Sequence, residues 1–269
     1  MINRLMPFAA DLWQHRALLG QFILRNVELR HKGSHLGLIW SFLSPVLMLG
    51  LYVLVFGYIF QGSFGVLPGE TRVDYALGIF LGLTIFHFVS EVMGVAPGII
   101  VSNPNFVKKV VFPLEILPAA TVGGAAFHML ISFALALLGI VISAPAFGPG
   151  IFWIPVIFLP LGLFALGLGW LLSAIGVFFR DINQLIQFLS MALMWASGIF
   201  YTAAKYPLAW PYLRFNPLLL AVELTRDAVL WHRPINLTHL GYLYAFSVVL
   251  CYLGYATFRK LKPAFADVL

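Results

Sequence analysis

The chain has 269 residues, 61% of them apolar and 10% charged, with a mean hydropathy of +0.95 and a formal net charge of +6. That hydropathy lies far outside the range of soluble domains and places the chain among integral membrane proteins. The basic excess does not describe a nucleic-acid surface, because the 16 Lys and Arg are spread around apolar spans and read as membrane orientation signals.

Met1 to Val27 carries dispersed charges and has no uninterrupted apolar core, so it does not read as a signal peptide. Between Leu12 and Lys32, the polar residues Gln14, Gln21, Arg25, Glu28 and Lys32 recur at helical spacing beside Leu12, Leu19, Ile23 and Val27. The pattern predicts an amphipathic interface helix within residues 1–35, and a membrane-surface helix and a partner-docking helix look alike at this stage. The basic stretch Arg30-His31-Lys32-Gly33-Ser34-His35-Leu36-Gly37 follows, and Leu36 to Phe60 then contains no Lys, Arg, Asp or Glu. As a helix this run is roughly 37 Å long, enough to cross a hydrocarbon core of about 30 Å. Arg30 and Lys32 suit anchoring at lipid phosphates. Gly33, Ser34 and Gly37 are also small enough to let backbone and cations approach an anionic ligand, and both roles are compatible.

Gln61 to Arg72 is rich in Gly and Pro and reads as a loop on the opposite side. The second span, residues 74–96, is interrupted only by Glu91, which shares a helical face with His87 four positions earlier. An ionisable pair within a span is a functional candidate, but Glu91 lies about 24 Å along the helix, near the far interface, which favours a structural hydrogen bond. The stretch Ser102 to Pro118 brackets a short amphipathic segment with prolines, with Asn105 as a plausible cap. It reads as a compact knob outside the bilayer, suited to docking a protein.

Ile116 to Phe179 again lacks Lys, Arg, Asp and Glu and accommodates two spans, 117–142 and 152–179, joined at Ala144 to Gly150. His128 reads as a packed or hydrogen-bonded histidine. A fifth span is expected at 182–204. Lys205 to Leu240 mixes Pro207, Pro211 and Pro217 with an apolar run, Leu218 to Val222, too short to cross, followed by Glu223, Arg226 and Asp227. The last span, 236–258, ends in Arg259, Lys260 and Lys262 of a cytoplasmic tail, 259–269. The expected fold is an all-α integral membrane protein. It has six transmembrane helices within 36–258, preceded by the interface helix, with re-entrant helices between spans 5 and 6. Cys251 is the single cysteine, so this chain alone builds no intrachain disulfide and no thiolate metal site.

The segments R-H-K-G-S-x-L-G-x-x-W ending at Trp40, N-P-N-x-x-K-K-x-x-F-P-x-E-I-L-P from Asn103 to Pro118, F-F-R-D-I and N-P-L occur in that order along the chain. Together they resemble the membrane subunits of ABC exporters for polysaccharides and teichoic acids, over nearly the whole length. His31 stands where an aromatic Tyr is common. The resemblance implies a permease subunit of an ATP-driven exporter in the bacterial inner membrane, moving a lipid-linked polysaccharide, with O-antigen the leading class beside capsule and teichoic acid. It also implies a homodimer of this chain bound to two ATP-binding-cassette ATPase subunits, and a cargo joined to its lipid carrier through pyrophosphate. On that reading the cargo meets Arg30, Lys32, Gly33, Ser34 and Gly37. Aromatic faces on which sugar rings stack would come from Trp40, Tyr52, Phe56, Trp195 and Tyr201, each equally readable as a packing or interfacial aromatic. Asn103, Pro104, Lys108, Lys109, Pro113 and Glu115 would contact the ATPase.

No G-x-x-x-x-G-K-[ST] phosphate loop occurs, so no cofactor is expected in this chain, and ATP and Mg are expected on the partner subunit. No H-E-x-x-H, Cys cluster or close set of intramembrane carboxylates marks an enzyme centre or a metal site. Two other classes remain, a proton-coupled secondary transporter using His87 and Glu91 and a membrane transferase acting on lipid-linked sugars. The first calls for more charges at mid-membrane and paired repeats, and the second for clustered interfacial carboxylates. The sequence has neither.

With both termini cytoplasmic, eleven of the 16 cations collect on that side. Single cysteines placed before Arg30 or after Arg259 should therefore resist an impermeant thiol reagent in intact cells. Rapid labelling of either terminus would reverse the topology.

Overall fold

The computed structural model describes residues 7–30, 33–66, 68–108, 112–143, 148–179, 181–202, 208 and 210–269. Among them there is no β-strand. Two helices, α1 (Pro7–Gln14) and α2 (Arg16–Arg30), precede α3 (Trp40–Tyr52), which runs on as a π-helical stretch, Val53–Ile59. Then come α4 (Arg72–Ile99), α5 (Pro104–Lys108), α6 (Ile116–Ser143) and α7 (Ile154–Phe178), the last led in by a 3-10 turn, Pro149–Trp153. The remainder is α8 (Ile182–Ala196), α9 (Trp210–Leu213), α10 (Pro217–Val229), α11 (Leu237–Leu261) and α12 (Phe265–Val268).

Five segments are long and apolar enough to cross a membrane: Trp40–Ile59, Arg72–Ile99, Ile116–Ser143, Pro149–Phe178 and Leu237–Val268. The second is the central one, since 72% of its most apolar window is buried against 6% for the first. Polar caps set several helix starts. Thr71 Oγ1 accepts from the Asp74 amide at 3.1 Å while the Thr71 amide donates to Asp74 Oδ2 at 3.0 Å, a reciprocal box that satisfies two otherwise orphaned donors. Asn216 and Asn236 cap α10 and α11 more simply, their side-chain oxygens accepting from the amides of Leu218 and of Thr238 and His239.

Glycine governs how closely the long helices approach. A Cβ on Gly254 of α11 would lie 2.1 Å from the carbonyl oxygen of Gly167 on α7, and one on Gly176 of α7 would lie 2.1 Å from that of Pro97 on α4. Backbones this close gain dispersion contact in lipid, where no hydrophobic force drives helices together.

The N-terminal helix differs from expectation in two respects. It is broken at His15 into α1 and α2, and α2 is docked on the protein, with Ile23 seated against Gly123 of α6. Its apolar residues face more than one side: Val27 is buried while Leu24 and Leu29 are exposed. The C-terminal tail is packed on the bundle. Phe265 is fully buried between Phe178 and Phe258, so α12 folds back onto α7 and α11.

The expected fifth span, 182–204, is the largest difference. Helix α8 stops at Ala196, giving about 22 Å of rise, short of a hydrocarbon core of about 30 Å. The chain turns there because Gly198 takes φ +64°, a left-handed conformation that ends a helix at little cost for glycine. The turn leaves carbonyls without helical partners, and Arg226 of α10 supplies the donors. Its Nη1 donates to Gly198 O at 2.7 Å, Nη2 to Ile199 O at 2.5 Å, and Nε to Gly78 O on α4 at 2.9 Å. The guanidinium is fully buried and lies 4.4 Å from the ring centroid of Phe64.

Arg226→Met removes the donor for three buried carbonyls, each worth about 1–3 kcal/mol when left unsatisfied. The variant should melt well below the native protein and give little monodisperse material. Arg226→Lys should fall short as well, because one ammonium cannot reproduce the planar fork. Native-like melting of both would remove this guanidinium from the list of structural supports.

Candidate functional site

The C-terminal end of α2 meets the last third of α4. Arg30 Nη1 lies 2.6 Å from Glu91 Oε1, and the two side chains are 48% and 26% exposed. Glu91 thus finds its partner on another helix. The charge pair borders a cavity of about 230 Å3 between α3, α4 and α6 that is also lined by Trp40, Tyr52, His87 and His128. Arg30, Glu91 and His128 line a second cavity as well, of about 360 Å3, opening toward Asn26 on α2. The pair stands where the two spaces adjoin. Serine hydroxyls, two imidazoles and an ion pair set within apolar walls make a site able to orient a polar head while sheltering apolar groups.

The other residues read from the first basic stretch sit close to Arg30 in sequence. Gly33 and Gly37 both adopt positive φ, +88° and +50°, in the bend between α2 and α3, and a Cβ on either would meet nothing within 4 Å. Ser34 is exposed. Lys32 lies outside the described residues.

The candidate aromatics divide into two groups. Trp40 and Tyr52 line the cavity, whereas Phe56, Trp195 and Tyr201 gather farther along the membrane around Phe200, a residue the sequence did not single out. Tyr52 to Phe56 is 6.0 Å between centroids, Phe56 to Phe200 5.4 Å and Phe200 to Trp195 5.3 Å, so the two groups are joined by an unbroken file of rings. Tyr201 closes the end by donating its hydroxyl to Trp195 O at 2.9 Å. His128, read from sequence as a packed histidine, borders both cavities. Its signal was available in its spacing from the small residues Gly124 and Ser132 on one helical face, but the partner helices were not.

The second candidate site is the loop carrying α5. Asn103 Nδ2 donates to Ile99 O at 2.8 Å, and Asn105 lies within α5 rather than capping it, because the helix begins one residue earlier at Pro104. Phe106 stacks on Phe112 at 4.5 Å, and Phe22 of α2 packs against both at 5.7 and 5.3 Å. Lys108 and Pro104 are exposed, Pro113 is half-buried with its carbonyl accepting from Ile116 N at 3.0 Å, and Lys109 lies outside the described residues. Glu115 does not fit its expected place at an outer contact. It is 7% exposed, and Lys262 Nζ donates to both its carboxylate oxygens at 2.9 Å. Its backbone carbonyl accepts from Trp170 Nε1 at 3.0 Å. The carboxylate is turned inward because the tail supplies its cation.

Around this point Phe8 of α1 packs on Trp170 and Tyr255, and the Tyr255 hydroxyl bonds the carboxylate of Asp11. The N-terminal helices, the α5 loop and the C-terminal tail therefore form one cluster at one end of the bundle. Among the described residues no group of three or more His, Cys, Asp or Glu is placed to hold a metal ion.

Long apolar helices, a cavity with polar lining between three of them, and a short-helix loop packed against both terminal segments define a polytopic membrane domain. The family of ABC-2 type transporters matches residues 18–230, and the chain belongs to that family. It is 28% identical to the O-antigen export system permease protein RfbA of Myxococcus xanthus, over 96% of this chain and 97% of that protein. It is 28% identical to the polysialic acid transport protein KpsM of Escherichia coli, over 90% and 92%. The capsule polysaccharide export inner-membrane protein CtrC of Neisseria meningitidis serogroup A is 22% identical, over 95% of each chain.

Lys262→Met should destabilise the protein by about 1–3 kcal/mol, since it leaves the near-buried Glu115 carboxylate without its cation. Adding Glu115→Gln should recover part of that loss, measured as the melting temperature of the detergent-solubilised chain. Lys108→Ala, at an exposed position, should change it little. Equal effects at Lys262 and Lys108 would contradict the inward role of the pair.

Proposed function

We propose that this chain is the membrane permease subunit of an ATP-driven exporter that moves lipid-linked polysaccharide, most closely of the O-antigen type, across the bacterial inner membrane. The observation that carries this reading is similarity to export permeases over nine tenths or more of both chains. The absence of a phosphate loop from the sequence fits an ATPase on separate subunits, which would hold ATP and Mg. The exposed α5 knob, with Asn103, Pro104, Lys108, Lys109 and Pro113, is the proposed docking element for that ATPase. Both termini belong on its cytoplasmic side.

A homodimer is the simplest closure for a polymer path, since a wide path needs more spans to enclose it than one copy supplies. Apolar side chains of α3 and α8, among them Leu47, Leu51, Phe188 and Met191, are exposed and leave faces for lipid or for a second copy. In that assembly α8 and the turn after it belong to the fifth of six crossings, and α9 and α10 are re-entrant, with Arg226 of α10 satisfying the carbonyls of Gly198 and Ile199 in that turn. Arg30 and Lys32, with the open backbone at Gly33, Ser34 and Gly37, are the proposed contacts for the carrier's phosphates, and Trp40, Tyr52, Phe56, Trp195 and Tyr201 those for sugar rings.

Copurified with its ATPase and placed in liposomes, the chain should hydrolyse ATP faster when polyprenyl-pyrophosphate-linked glycan is added. Arg30→Gln combined with Lys32→Gln should insert and assemble yet lose most of that stimulation. If the cations serve only as anchors, insertion falls and the cargo response per assembled complex survives. Glycan export that follows a proton gradient and needs no ATPase would overturn the proposal.

A further inference from the structure

We propose that Glu91 is a resident counter-anion, holding Arg30 across the junction of the two cavities until the phosphate group of a lipid-carried ligand displaces it. The inference rests on the reading of Arg30 as a phosphate contact and adds what controls that contact. Arg30 and Glu91 come from different helices, meet at 2.6 Å, and are partly exposed. A pair of this exposure is weak, contributing at most about a fivefold preference for the closed arrangement. A phosphate or pyrophosphate carries more charge and offers two oxygens to the guanidinium fork, so it competes favourably for the same cation.

The surroundings suit an exchange of partners. Both cavities share Arg30, Glu91 and His128, so separating the pair joins the two spaces into one. The released carboxylate has somewhere polar to go. His87 lies one turn back on the same face of α4 and lines the same cavity, and an imidazole offers at least one N–H donor. Beside Arg30, the bend at Gly33 and Gly37 has no atoms within 4 Å of where a Cβ would stand. Next to it α3 exposes Phe42, Val46 and Leu47, an apolar track for the chain that carries the phosphate. The ligand class is therefore a phosphate or pyrophosphate ester of a long hydrocarbon.

Farnesyl pyrophosphate is a usable probe, titrated calorimetrically into the full chain with its ATPase in nanodiscs of uncharged lipid. Glu91→Gln, which keeps the shape and removes the competing charge, should bind it up to about fivefold tighter. Arg30→Gln should bind about tenfold more weakly or worse. The double variant should be no tighter than Arg30→Gln alone, because the gain from Glu91→Gln requires the freed guanidinium. Inorganic pyrophosphate should give the same ordering at lower affinity, and a Glu91 effect seen with the farnesyl ester only would overturn the displacement. Native binding in Arg30→Gln would refute the phosphate contact itself. Weakened binding in Arg30→Gln together with unchanged or weaker binding in Glu91→Gln would leave that contact standing and dismiss the counter-anion. Where Glu91→Gln does not purify, Glu91→Asp shortens the side chain and should give a smaller gain, and no gain there counts against the proposal.

Discussion

In hydrocarbon every backbone amide and carbonyl must find a partner within the protein, and Arg226 is where this chain meets that demand. A helix that stops after Ala196 leaves carbonyls at Gly198 and Ile199 pointing into the interior, and one guanidinium takes both while a third bond reaches Gly78 on the central helix. Three chain segments are thereby fixed to one another, α4, the turn after α8, and α10. The cost of burying a cation is offset by three carbonyl acceptors and by the faces of Phe64 and Trp231. The broken geometry between α8 and α11 is stable for that reason.

The opposite end of the bundle is organised by charge pairs of another kind. Glu115, nearly buried, has both oxygens engaged by a partly exposed Lys262, while Arg30 and Glu91 form a more exposed pair with one short contact. Burial separates their roles. A shielded pair whose partner is lost strands a charge, so it serves as a tie between the α5 loop and the tail. An exposed pair next to open space is easily exchanged for another anion, which suits a place where a ligand arrives.

On the proposed docking of a subunit at the α5 loop, the packing at this end would carry its motion to the spans. Phe106 and Phe112 of the α5 loop are stacked and held by Phe22 of α2, and α2 ends at Arg30 beside the cavity. Displacement of the knob therefore moves the helix that carries the cation. Phe8, Trp170, Tyr255 and Phe265 make the floor against which this movement would act, because they pack in one apolar cluster linking the first and last helices.

Charge-free runs and their flanking cations were enough, by themselves, to point to a helical membrane protein, because lipid imposes length and apolarity on any span. The absence of a phosphate loop and the compact character of the Asn103 to Pro118 stretch were equally readable, since both depend on local residue types. Long-range pairing was not. His87 and Glu91 share a helical face, and the sequence joined them, but the ion-pair partner of Glu91 is a guanidinium from a helix some sixty residues earlier in the chain. Glu115 lies in an exposed-looking motif and is buried because Lys262 and Trp170 converge on it from the other end of the chain. The end of α8 at Ala196 rests on Gly198 and on Arg226, and only the folded arrangement brings that arginine under those carbonyls. Periodicity fixes which face a residue occupies; which side chain stands opposite is decided by packing between helices far apart in sequence.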